Sequence, residues 1–300
     1  MFYFFSFLVG AAAGSFINVL VYRLNPEKGY DSSAIKEISG RSYCDSCKKT
    51  LRWFELLPIF SFLIQRGRCW RCKANIAFEY SLVELISGVV FTLIFWRLEQ
   101  FLFFKTLAND WVFFATVGLW WLIFACILAI CVFDFKYYLI PDFLLYFLAG
   151  SGAILQVFYF FVFDFFLKTE KLNQLYFSGE LYYLLGSENR FFGLGIGILV
   201  ALSVFGLAYF LSFGRGMGLG DVFLAFGLSL ALSWPDILVL IFLSFLIGSS
   251  LSLFLIFFRR KGMKDIVPFA PFLGFGLLTL FLFGDKIVQG YLNLFPGLFL

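Results

Sequence analysis

The sequence predicts an all-α polytopic membrane protein of about eight transmembrane helices, with a small zinc-ribbon-like domain between the first two. Three observations predict it. Hydrophobic residues make up 62% of the 300, charged residues 14%, and 47 are phenylalanine, a composition outside the soluble globular range. Apolar runs of about 18–22 residues recur along the chain, the length that crosses a bilayer as helix. Lys and Arg collect in alternate connecting segments, the asymmetry by which multi-pass chains are oriented.

The first span covers roughly 2–22. It has no basic region before its apolar stretch and no A-x-A-like cleavage site, so it is expected to be retained rather than removed. Residues 23–81 follow as a polar cytosolic domain with 11 Lys/Arg against six Asp/Glu. Residues 82–300 form the remaining transmembrane core, with spans near 82–98, 111–133, 143–163, 191–212, 221–234, 236–258 and 267–284. Segments 23–81, 134–142, 213–220 and 259–266 hold 17 of the 23 basic residues. That side is expected to be cytosolic, with both termini and the long loop 164–190 outside. The positive balance of +4 then reads as a topology signal and contact with anionic lipid, not as a nucleic-acid footprint. Glycines within the spans (Gly193, Gly195, Gly197, Gly248, Gly274, Gly276) suit close helix packing.

The span beginning at Asp221 is short. Only 14 residues run from Asp221 to Trp234, ahead of Pro235, about 21 Å of helix against a hydrocarbon core of about 30 Å. The glycine-rich stretch ahead of it is therefore expected to dip below the membrane surface, which submerges Asp221.

Between the first two spans, Cys44-Asp45-Ser46-Cys47 and Cys69-Trp70-Arg71-Cys72 form two C-x2-C pairs. Each pair can place two thiolates in one turn, and the two together make a four-sulfur site for structural Zn²⁺ with no open coordination position. Two disulfides are the alternative, disfavoured in a reducing compartment. Cys126 and Cys131 lie inside an apolar span and read as core cysteines.

The chain contains no histidine, so it lacks the commonest general base for a membrane hydrolase. Paired carboxylates can supply both an activated water and a proton donor, because two close acids share one proton. Asp134 and Asp221 are the candidates. Asp221 follows Gly218-Leu219-Gly220, where Gly218 and Gly220 permit close backbone approach and positive φ, admitting an extended substrate. As a bare G-x-G-D, Asp221 reads equally as an N-cap. Asp134 ends an apolar run, where a helix C-terminus disfavours negative charge; pairing with Lys136 is the alternative. Asp142 follows Pro141 ahead of an apolar helix and reads best as an N-cap. Glu84, early in the second span, is either structural or a substrate-positioning group.

In this order the motifs resemble those of the type IV prepilin leader peptidase and N-methyltransferase family of GxGD-type aspartyl proteases. The matches are Gly14-Ser15-Phe16-Ile17-Asn18-Val19, Tyr22-Arg23-Leu24, both cysteine pairs with Leu57-Pro58 between them, and Arg66-Gly67-Arg68-Cys69. Further along they are Leu82-Val83-Glu84-Leu85, Asp134 with Ile140-Pro141-Asp142, Gly218-Leu219-Gly220-Asp221, and Pro268-Phe269-Ala270-Pro271-Phe272. The resemblance implies a bacterial inner-membrane enzyme that cuts the basic leader from prepilins or pseudopilins at the cytosolic face, with Asp134 and Asp221 as the catalytic pair. It also implies N-methylation of the new N-terminus from S-adenosylmethionine. No glycine-rich nucleotide fold is visible, so a site for that donor is expected to draw on Asn18, Tyr22, Arg23 and the cysteine domain. The chain departs from the family at Phe223, where a lysine is usual, and across Asn25–Gly40. A proton- or ion-relay transporter using the same acids, and an assembly subunit docking through its zinc ribbon, are the other function classes. The absence of a mid-membrane acid and of an inverted repeat weighs against the transporter.

Overall fold

The computed structural model describes residues 1–24, 40–44, 46–100, 110–162, 190–214, 216–258 and 267–294. The loop expected at 164–190 falls outside the described residues apart from its last position, as does most of the divergent run 25–40. The chain divides into two compact units, Met1–Trp96 and Arg97–Leu300.

The first unit holds α1 (Phe2–Arg23), a 3-10 turn at Trp53–Leu56, a short α2 (Phe60–Gln65) and most of α3 (Phe78–Gln100). A glycine seam joins α1 to α3. A Cβ added at Gly10 would stand 2.5 Å from the Ser87 carbonyl oxygen, and one at Gly14 would stand 2.7 Å from the Glu84 Cα. In turn a Cβ at Gly88 would stand 2.7 Å from the Phe7 ring. Small residues four apart let two backbones touch where lipid offers no hydrophobic drive for association. The Gly10-x-x-x-Gly14 spacing was open to reading in the sequence. Filling it, as in Gly14→Val, is expected to destabilise the unit by about 1–3 kcal/mol, the usual cost of overpacking, seen as a lower melting temperature in detergent.

The described residues of the second unit form a closed ring of six helices. In chain order these are α4 (Asp110–Tyr137), α5 (Asp142–Tyr159), α6 (Arg190–Leu211), α7 (Leu219–Leu232), α8 (Asp236–Phe257) and α9 (Ala270–Leu294). Packing runs α4 to α5 to α7 to α6 to α8 to α9 and back to α4. The core is apolar, with Trp120, Phe133, Ile130, Leu148, Phe205 and Phe281 fully buried. The outside is equally apolar: Phe210, Leu211, Phe242 and Phe257 are exposed. Helices apolar all round fit lipid rather than water. Seven helices among the described residues are long and apolar enough to span a membrane.

The eighth, α7, is the short one at 14 residues. It fits tightly because glycines remove side chains from its neighbours. A Cβ at Gly152 would approach the Ala231 nitrogen to 3.0 Å, and one at Gly197 the Trp234 nitrogen to 2.9 Å. Gly248, Gly274 and Gly276 are close-packed in the same way, against Phe272, Cys131 and Ser244. Gly195 is not, having nothing within 4 Å of its added Cβ. Half-buried Arg97 forms an ion pair with Asp285 and donates from Nε to the Phe281 carbonyl at 3.2 Å, which anchors α9. The core cysteines link helices as well: Cys126 donates to the Leu144 carbonyl at 3.2 Å and Cys131 to that of Ala270 at 3.4 Å.

Candidate active site and metal centre

Asp134 and Asp221 lie at one end of the six-helix ring, near enough to interact electrostatically. α4 continues past Asp134 to Tyr137, so the acid sits in the last turn rather than at the final residue. Asp221 is the third residue of α7. The N-cap of that helix is Gly218, which excludes the simple cap reading of Asp221; its carboxylate instead reaches back to the Gly218 backbone N–H, as an acid at that position does in a capping box. The two carboxylates are electrostatic neighbours, across 87 positions of sequence.

Asp134 is 7% exposed. It does not pair with Lys136, whose side chain is exposed and lies 5.8 Å from the Tyr137 ring centroid. Its Oδ2 accepts the Ala270 backbone N–H at 3.0 Å, with Phe269 N–H contributing as well. The unfavourable C-terminal end of α4 is thus offset by the favourable N-terminal end of α9. Proline has no N–H and a fixed φ, so Pro268 and Pro271 leave Phe269 and Ala270 as the donors of this first turn. The Pro268–Phe272 motif was visible in sequence; its role as the cradle of Asp134 was not. Removing one donor in Ala270→Pro is expected to lower any turnover that depends on Asp134 about 10–100-fold, since a charge-assisted hydrogen bond is worth about 1.5–3 kcal/mol. Zinc content should not change, which single-turnover assays and metal analysis check together.

Gly218 and Gly220 do not take positive φ as expected. Gly218 is extended at φ −80° and ψ 156°, and the positive-φ glycines among the described residues are Gly67 and Gly214. Close approach is the part that holds. A Cβ on Gly220 would lie 3.3 Å from Ile140 Cβ, so α7 rests directly on the Ile140-Pro141-Asp142 loop. Asp142 is not the N-cap of α5. Pro141 occupies that position and Asp142 is the first helical residue, where its charge still complements the helix dipole. Gly218 and Phe223 are exposed beside Asp221, leaving one flank of the pair open.

Glu84 belongs to the first unit. Its Oε2 accepts the Ile59 N–H at 2.7 Å, and the Ser15 hydroxyl also donates to it. Ile59 is held at φ 63°, ψ −51°, with Phe60 N–H bonded to the Pro58 carbonyl at 2.6 Å. This is the rarer, strained hand of γ-turn, here on a β-branched residue. Glu84 is therefore a strut for the Pro58–Phe60 turn.

The four cysteines converge. All are free of disulfides, and the sulfurs of Cys44, Cys47, Cys69 and Cys72 lie within 4.8 Å of one another. Cys44 Sγ and Cys72 Sγ are 3.7 Å apart, close to the edge of about 3.8 Å that a tetrahedron with Zn–S of about 2.3 Å requires. The two halves repeat one local fold. Tyr43 bridges to Thr50 and Arg68 to Asn75, while Lys48 at φ 55° and Lys73 at φ 60° turn the chain at equivalent places. Backbone N–H groups are aimed at the sulfurs. Those of Cys72 and Arg71 draw the Cys69 thiol down to about 7, and that of Lys49 lowers Cys47. The donor set fits a four-thiolate zinc ion.

Two family models match the chain, the bacterial peptidase A24 N-terminal domain over residues 8–98 and the type IV leader peptidase family over residues 121–253. The chain is 27% identical over 310 residues to the prepilin leader peptidase/N-methyltransferase of Aeromonas hydrophila, covering 96% of this chain and 93% of the relative. It is 28% identical to that of Pseudomonas aeruginosa, covering 95% and 92%. Over 141 residues it is 32% identical to the Vibrio cholerae protein of that name, covering 46% and 50%. No solved structure matches. With the aspartate-bearing ring falling under one model and the cysteine-bearing unit under the other, the chain belongs to the type IV leader peptidase family.

Proposed function

We propose that this protein is an intramembrane aspartic endopeptidase that removes the basic leader of type IV prepilins or pseudopilins and then N-methylates the new N-terminus. One observation carries the peptidase half: two carboxylates from distant parts of the chain are neighbours at one end of a lipid-facing helical ring. Asp134 and Asp221 share one proton. The ionised member activates water, and the protonated one donates to the carbonyl oxygen. The N–H groups of Phe269 and Ala270 hold Asp134 in place. Exposed Phe135, Tyr138, Leu139, Phe213 and Phe223 stand around this end of the ring and suit a substrate whose cut site adjoins a hydrophobic helix. The last turn of α4 at this end carries Lys136, consistent with a cytosolic orientation.

The domain carrying Cys44, Cys47, Cys69 and Cys72 holds Zn²⁺ as a structural ion, with residues 23–81 as the cytosolic domain and 82–300 as the peptidase core. S-adenosylmethionine, when bound, supplies an electrophilic methyl group for the freed amine. The methyltransferase half rests on the names of relatives matched over nearly the whole chain.

The test is incubation of the purified protein in detergent with a leader-bearing prepilin and S-adenosylmethionine, read by intact mass. Loss of the leader plus one added methyl group is expected. An uncut substrate overturns the peptidase reading, and a cut but unmethylated one overturns the methyltransferase reading.

A further inference from the structure

Residues 51–73 of the first unit turn an apolar and cationic surface outward. In α2, Phe60, Leu63 and Ile64 are 50%, 64% and 62% exposed, while Gln65 is buried. Residues three and four apart share one face of a helix, so these three form a single apolar face directed away from the protein. In the 3-10 turn, where every third residue eclipses, Trp53 and Leu56 are both exposed. Glu55 between them is buried, its Oε2 accepting the Arg52 backbone N–H at 2.6 Å. It is the sole acid in 51–73, against Arg52, Arg66, Arg68, Arg71 and Lys73, all exposed. This stretch therefore presents positive charge and apolar side chains, with its one carboxylate turned inward.

Its place along α3 decides what the surface meets. That helix is long and apolar enough to cross a membrane. The Ile59 N–H bonds Glu84 at 2.7 Å, and Glu84 lies within the first two turns of α3. The Phe62 ring meets that of Phe78, the first residue of α3, with centroids 6.0 Å apart. So α2 rests alongside the first two turns of a spanning helix, at the depth where hydrocarbon gives way to headgroups. Arg66 and Arg68 follow α2 directly. Ahead of it, the Phe54 ring has Trp70 at 5.7 Å and the Arg52 guanidinium at 5.9 Å. Trp and Arg bordering an apolar face are the composition of an interfacial segment. In water such a patch is a liability, whereas a bilayer covers it without any further protein.

From these features we infer that segment 53–65 lies in the bilayer interface, its apolar face among the acyl chains and the neighbouring arginines on anionic headgroups. Each Lys or Arg near such a surface adds about fivefold to partitioning, and a guanidinium takes phosphate oxygens through paired hydrogen bonds. The two cysteine pairs flank this segment in sequence, so the sulfur cluster is held at the membrane surface instead of hanging free on two tethers. The inference depends on neither half of the proposed function.

The experiment replaces Leu63 with a fluorescent amino acid in the full-length protein, reconstituted one copy per nanodisc in phosphatidylethanolamine and phosphatidylglycerol. Its emission is read against acrylamide in the water and against lipids brominated along their acyl chains. Zinc stoichiometry equal to that of the unlabelled protein is the control for folding. Brominated lipid is expected to quench the label at least about twofold, and acrylamide to have little effect. Quenching by acrylamide alone puts the face in water and overturns the inference. Acrylamide quenching that an added prepilin then suppresses assigns the face to the substrate instead, and protection from both quenchers means that protein covers it; either result overturns the inference as well. Charge is tested by exchanging phosphatidylglycerol for phosphatidylcholine, which needs no variant, and by combining Arg52→Gln, Arg66→Gln, Arg68→Gln and Arg71→Gln in the labelled protein. Acrylamide access should rise about twofold or more in each case. Access indifferent to both changes overturns the assignment of the arginines to anionic headgroups.

Discussion

Asp134→Asn and Asp221→Asn are each expected to reduce leader cleavage by at least about a thousandfold, and the double variant by no more than either alone. Members of one catalytic unit are not additive, because removing either leaves the other without its function. An amide cannot share the proton or activate water, whereas its size and hydrogen-bonding reach leave the ring intact. The variants should therefore keep wild-type zinc content and wild-type binding of S-adenosylmethionine. The wild-type rate should follow a bell in pH, falling where both acids are protonated and again where both are ionised, with apparent values that belong to the pair. A single variant retaining more than about a tenth of the wild-type rate, or a flat profile across the carboxylate range, removes the dyad. Glu84→Gln serves as a contrast: its carboxylate braces a turn in the other unit, so its loss should spare the chemistry of cleavage.

Removing zinc should unfold the cysteine segment, the second largest effect. Structural four-thiolate sites contribute about 10–16 kcal/mol of apparent binding energy at neutral pH, which becomes folding energy in a segment too small to form a core. Chelation, or Cys69→Ser, should abolish the one-to-one zinc stoichiometry and expose 42–76 to protease while the six-helix ring stays intact. The pH dependence has a definite sign. Backbone N–H donors lower the Cys69 thiol from 9.0 to about 7, while desolvation and the neighbouring sulfurs raise Cys72 to about 11, so the protons of the metal-free cluster belong to the four thiols together. The ion must displace those protons, so zinc affinity should fall as pH falls, and more steeply below about 7, where Cys69 is protonated as well. Metal analysis across pH 5.5–9 reads this directly, and an occupancy indifferent to pH excludes thiolate ligation.

Much of the architecture was legible in the chain because its signals are local. Apolar runs of membrane length marked each helix, and α7 kept its 14-residue length with only a two-residue shift in start. The C-x2-C spacing announced two turns that could share an ion, since two thiolates within one turn need only local geometry. Site details that depend on a partner were not legible. Lys136 stands two residues from Asp134, yet the acid takes its hydrogen bond from Ala270, 136 positions away. Asp142 and Asp221 looked like caps, but where a helix begins is decided by packing: Gly220 lies against Ile140 and draws α7 back to Leu219. The buried acids Glu55 and Glu84 are separated by 29 positions, yet both line one cavity of about 340 Å³ in the first unit. By itself, then, the sequence determined the membrane class, the helices and the sulfur cluster, and it singled out Asp134 and Asp221 as the candidates. The pairing of those aspartates, their support by α9 and the cavity beside the cysteines came only from tertiary structure. Periodicity and spacing encode what a residue does with its near neighbours along the chain, whereas a closed ring of helices is set by side chains meeting across it.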